Sequence, residues 1–234
     1  MSKVASNSPE LDVNGLRQAL RIAGGCTLGF ALSKLMNWPN GIFFTVYPML
    51  LLGMVPTLNR SIIRQFFASA AFSAFMVLII QGLFSHVPVV MTLFSFSAFC
   101  FLFHKMSNGN AFLFGALGVV SLSIQLNFSS YIDQTSSIYP ILLSNGLAIF
   151  MTVIIAAVMH AIFPDATARL PRPMPAKAKE SIRHEVILCA TVATLSFVVF
   201  QVLDLKDSIS AQAASVLILF SLCWKAAGMA GWQR

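Results

Sequence analysis

Phe66-Phe-Ala-Ser-Ala-Ala-Phe-Ser-Ala-Phe-Met-Val-Leu-Ile-Ile-Gln-Gly-Leu-Phe84 runs for nineteen residues without a charged side chain. That is close to the ~20 residues an α-helix needs to cross the hydrocarbon core of a bilayer. Arg60 and Arg64 stand immediately before it, and the polar turn Ser85-His86 follows. Seven further apolar segments repeat the pattern, giving eight in all: Leu16 to Met36, Ile42 to Leu58, Phe66 to Phe84, Val87 to Phe103, Ala111 to Phe128, Ile138 to Phe163, Val186 to Leu203 and Ile209 to Trp224. The chain reads as an all-α polytopic membrane helix bundle with about eight transmembrane helices.

Threading these segments back and forth from an inside N-terminus separates the charges. Thirteen of the fifteen Lys and Arg residues fall on the inner side, and only Lys34 and Lys206 lie in outer turns. Basic residues in short loops are retained on the cytoplasmic side, so the expected topology is multi-pass with both termini cytoplasmic. Composition agrees. With 57% hydrophobic residues, 10% charged residues and a mean hydropathy of +0.80, the chain carries more apolar area than a soluble fold of this length can bury. The formal charge of +7 is spread over membrane-facing loops, where lipid is the natural partner. No basic and aromatic groove pattern points to nucleic acid. The first apolar segment ends at Lys34-Leu-Met-Asn-Trp38-Pro39 without a small-residue cleavage site and reads as a retained span.

Residues 1–15 form a polar cytoplasmic leader and 16–163 a block of six spans. Residues 164–185 form a linker with Pro164, Pro171, Pro173 and Pro175, and 186–234 contain two more spans. Arg17 and Arg183 open similar stretches: an apolar helix, a short polar outer turn, a second helix and a basic inner segment. Six spans separate the two starts, which gives the copies the same orientation, a partial repeat of the parallel kind. The second copy ends after two spans, so the expectation is a second repeat cut short.

Cys26, Cys100, Cys189 and Cys223 lie singly inside apolar segments and imply neither a disulfide framework nor a zinc site. His86, His104, His160 and His184 fall at span ends or in loops, and no metal or cofactor is implied. No phosphate-binding loop, nucleophile and base constellation or intramembrane acid pair appears, so the expectation is a protein that is not an enzyme. Gln81, Gln125, Asn145 and Gln212 are the larger polar side chains within or at the edges of spans and read as helix-to-helix hydrogen-bonding groups.

Gly25 and Gly29 form a small-xxx-small pair, and Ser69, Ala70, Ser73 and Ala74 give the third segment a small face; both read as packing seams. Pro48 and Pro56 remove backbone donors from the second segment and should bend or interrupt it, as helices lining a substrate path do in transporters. Arg60 with Arg64, and Arg17 with Arg21, are spaced to share a helix face at the cytoplasmic mouth. There they either attract an organic anion or serve only the topology. These six positions are the substrate-path candidates.

The six-span block with Arg17-Gln-Ala-Leu-Arg21, the outer turn Trp38-Pro-Asn-Gly41, the inner segment Pro56-Thr-Leu-Asn-Arg60-Ser-Ile-Ile-Arg64 and the partial repeat from Arg183 resemble the fusaric acid resistance protein family. Within it, the likeness is to a bacterial branch described as an uncharacterised membrane domain. The resemblance implies an inner-membrane efflux component for aromatic or other organic acids. It also implies a periplasmic adaptor of the membrane-fusion type as partner. Apart from the resemblance, a homo-oligomer is one way to complete the bundle. An anion channel and a structural or assembly protein are the other readings the resemblance and composition leave open.

Overall fold

A computed structural model describes residues 13–38, 41–55, 57–84, 86–107, 111–130, 139–165 and 179–202. Among these the chain is all α-helical: α1 Val13–Leu35, α2 Ile42–Met54, α3 Arg60–Phe84, α4 Pro88–Ser107, α5 Phe112–Ser130, α6 Tyr139–Ile162 and α7 Lys179–Val202. The expected eighth span, Pro56, Gln212, Cys223 and most of the linker lie outside the described residues.

Among the described residues four helices, α3, α4, α6 and the Ile182–Val199 part of α7, are long and apolar enough to cross a membrane, and the protein is a membrane helix bundle. The other three described helices fall short of that measure for physical reasons. Helix α1 has the length but carries Arg17, Arg21 and Lys34. Helix α2 has 13 residues, about 20 Å at 1.5 Å per residue, against a hydrocarbon core of ~30 Å. It was expected to reach Leu58 and stops at Met54, because Val55 takes an extended conformation (φ −116°, ψ 112°) ahead of Pro56. A proline's Cδ excludes the helical conformation from the residue before it. The apolar run Phe112–Asn127 of α5 is also short. Conversely, α3 and α7 begin six or seven residues before their apolar segments, since the ladder of backbone hydrogen bonds continues through polar turns.

The chain divides into two compact units. One holds residues up to Leu58 together with Leu147–Pro171, the other Asn59–Gly146 with the chain from Arg172 onward. In the first, α1 and α2 form an antiparallel hairpin. Helix α1 ends with Asn37 at φ 49°, the left-handed conformation that Asn tolerates better than most residues. The Trp38 amide donates to the Ser33 carbonyl (3.0 Å) and the Asn37 amide to Lys34 (3.2 Å), which satisfies two of the helix's last free acceptors in a Schellman motif. Trp38 then stacks on Phe44 with ring centroids 4.8 Å apart, fixing where α2 begins. The α6 part of this unit runs antiparallel to α1: Met159 meets Gly24 and Ile155 meets Gly25.

In the second unit α3 and α5 are parallel. Gln65 reaches Phe114, Ser73 reaches Gly118 and Gln81 reaches Leu126. Helix α4 runs opposite to both, with Phe101 beside Phe72 and Phe114, Phe94 on Phe84, and Leu102 against Gly118. Helix α7 packs chiefly on α4.

Candidate functional site

In the second and third turns of α1, Arg17 and Arg21 stand four residues apart on one face. The end of α6 offers carbonyls with no helical donor, and its dipole leaves partial negative charge there. Arg17 donates from Nη1 to the Pro164 carbonyl. Arg21 donates from Nε to the Phe163 carbonyl (2.7 Å) and from Nη2 to the Asp165 carboxylate. Arg21 is 1% exposed and the Asp165 side chain 14%, so this is a largely buried ion pair. The two arginines therefore clamp the end of α6.

Pro48 is buried in α2 and faces α1. It has no N–H for the carbonyl four residues back, that of Phe44. Gly29 lies against this carbonyl and has Pro48 beside it, while Gly25 fits under Leu52 and Pro48. A side chain at either glycine would meet α2. The helix continues past Pro48 to Met54.

Arg60 and Arg64 are exposed in the first two turns of α3 and share a face. They belong to the other unit from Arg17 and Arg21. Ser69 and Ser73 are buried. Ser69 donates to Phe66 O within its own helix, whereas Ser73 shares its hydroxyl between Ser69 O (2.9 Å) and Gly118 O of α5 (3.1 Å). Gln65, one residue beyond Arg64, accepts from the Phe114 amide (3.3 Å) and so caps the first turn of α5.

Helix α5 is buried from residue 115 to 127, and within it Ser121, Ser123, Gln125 and Asn127 are all at most 2% exposed. Ser121 and Gln125 lie one turn apart on the stripe that includes Phe114 and Gly118, the stripe facing α3 and α4. Gln125 Nε2 donates to Ser121 Oγ (2.7 Å); Gln125 Oε1, fully buried, has no hydrogen-bond donor. Ser95 of α4, also fully buried, stands two turns before Leu102 and is level with this pair by register. Gln81 of α3 donates to Leu126 O over a long 3.5 Å.

This uncharged polar tier inside an apolar bundle is the candidate site, and it was only partly visible in the sequence. Gln81 and Gln125 stood out as polar residues in spans. Ser95 and Ser121 did not, because a serine's hydroxyl is usually absorbed by the carbonyl four residues back, as Ser95 does with Met91 O. The usable signal was Ser121 and Gln125 at a spacing of four in a segment without charge.

A family model matches residues 18–159, and its description is "Protein of unknown function (DUF2955)". The match covers more than half the chain, which belongs to this family. No curated protein and no solved structure matches it.

Proposed function

We propose that this DUF2955 member is a component of a bacterial inner-membrane efflux system for aromatic or other small organic acids, with both termini cytoplasmic. The observation that carries the reading is the Ser121 and Gln125 tier, in which the Gln125 Oε1 acceptor is buried without a hydrogen-bond donor. Polar groups are costly at membrane depth and concentrate along solute pathways. The likeness of the Arg17 to Arg21 segment, the Trp38 to Gly41 turn and the Pro56 to Arg64 segment to the fusaric acid resistance family supports the choice of substrate class. Exposed Arg60 and Arg64 supply positive charge that draws an anion to the cytoplasmic mouth. A periplasmic adaptor of the membrane-fusion type and a second copy of the chain are the partners this role would need.

Inverted membrane vesicles containing the chain test the proposal. Labelled benzoate should accumulate faster than in vesicles without it, and the gain should fall when Arg60 and Arg64 are both replaced by Gln. Equal uptake with and without the protein, at matched insertion, would exclude the role. Current carried without accumulation would make the protein an anion channel.

A further inference from the structure

We infer that Gln125 is the intramembrane docking point for a neutral solute that donates a hydrogen bond, and that the transported acid therefore crosses in its undissociated form. The inference rests on the efflux reading for its substrate and on Gln125 for its chemistry.

The stripe Phe114, Gly118, Ser121 and Gln125 turns towards the α3 and α4 hairpin, as the contacts of Phe114 with Phe72 and Phe101, and of Gly118 with Leu102, establish. At the Gln125 level one amide proton is used on Ser121, and the Ser95 hydroxyl is used on Met91 O. The oxygen of the Gln125 amide remains, buried and without a donor. Buried polar atoms are nearly always paired, and an unpaired acceptor in a membrane interior is expensive to keep. It is complemented by a ligand that brings an O–H or N–H.

A carboxylate anion has no such donor, and its charge is penalised at this depth. A carboxylic acid has one. In this scheme the anion binds one proton from water at the cytoplasmic mouth, forms an O–H, donates it to Gln125 Oε1, and returns the proton to water on the far side. Charge and atoms balance without any protein group changing protonation. The acidic residues described in and beside the helices fit this: Asp165 follows the end of α6, and Glu180 and Glu185 stand in the first two turns of α7. The proton travels on the solute, and transport moves no net charge. Gln125 is fully buried, so α5 must part from the α3 and α4 hairpin for a solute to reach it.

The test uses the detergent-solubilised full chain, three probes of one shape at neutral pH, and Gln125→Leu. Benzamide, which has N–H donors, should raise the melting temperature of the unaltered protein by a few degrees; methyl benzoate, which only accepts, and benzoate anion should not. Gln125→Leu should melt above the unaltered protein, having lost an unpaired acceptor, and should show no benzamide effect. A lower melting temperature for Gln125→Leu, or failure of the variant to fold, would mean the amide is fully used by the fold and would overturn the inference. So would equal stabilisation by methyl benzoate and benzamide. Vesicle flux separates the two readings. A Gln125-dependent benzamide effect without any flux sinks export and leaves the site standing. Flux without a benzamide effect does the reverse.

Discussion

Gly29 of α1 lies against the carbonyl of Phe44, the carbonyl that Pro48 in α2 leaves without its helical donor. The missing side chain on one helix and the missing N–H on the other are thus a matched pair. The backbone of α1 approaches where the backbone of α2 has an acceptor to offer, in the way Cα–H groups meet carbonyls at close helix crossings.

Gly29→Ala should therefore destabilise the chain by about 1–3 kcal/mol, the range for overpacking a tight contact. Gly82→Ala is the control. Nothing lies within 4 Å of a Cβ there, and replacing a helical glycine gains about 0.5–1 kcal/mol. Unfolding in mixed detergent should separate the two with opposite signs; equal effects would mean the seam is loose.

Arg21→Ala should be more damaging. It removes the donor to the Phe163 carbonyl and leaves Asp165 without its guanidinium. Breaking a buried ion pair by removing one partner costs about 3–5 kcal/mol. Combining it with Asp165→Ala should recover part of that loss, and a double-mutant cycle measures how much. Strict additivity of the two losses would show that the pair is not coupled.

Gln65→Ala removes the side-chain cap on the Phe114 amide. A lost cap costs about 1 kcal/mol, and the effect should appear first as faster hydrogen exchange in the opening turn of α5. Unchanged exchange there would show that another acceptor serves the amide.

Thiol labelling tests the orientation. In a cysteine-free background, His86→Cys, before α4, should react with an impermeant reagent from the periplasmic side, and Ser107→Cys, at the far end of α4, only after the membrane is opened. The reverse pattern would invert the topology drawn from the lysines and arginines.

Sequence reading located most helices because apolar length is a direct consequence of the bilayer's thickness. It misjudged their ends where apolarity and helicity part company. The polar start of α3 from Arg60 stays helical, and α2 ends early because Val55 precedes a proline. Gly25 and Gly29 could be picked out by their four-residue spacing, but that Gly29 lies against the Phe44 carbonyl could not, because it depends on how α2 is placed. Arg17 and Arg21 were legible as a face but not as a clamp. Their partners at Phe163, Pro164 and Asp165 are over 140 residues away, and local spacing carries no information about such a contact. For the same reason Gln125 could be noticed as a polar residue in a span, but its open acceptor could not. Whether a glutamine is satisfied depends on what three helices place around it.

The separation of Arg21 from Asp165 also sets an order of events during synthesis. The two are 144 residues apart, so at about 5–20 residues per second the ribosome delivers the aspartate roughly 7 to 30 seconds after the arginine. Through that interval Arg21 has no access to the carboxylate that pairs with it in the folded chain. The ion pair is therefore a late contact: α1 gains its partner at the end of α6 only after the five helices from α2 to α6 have been made.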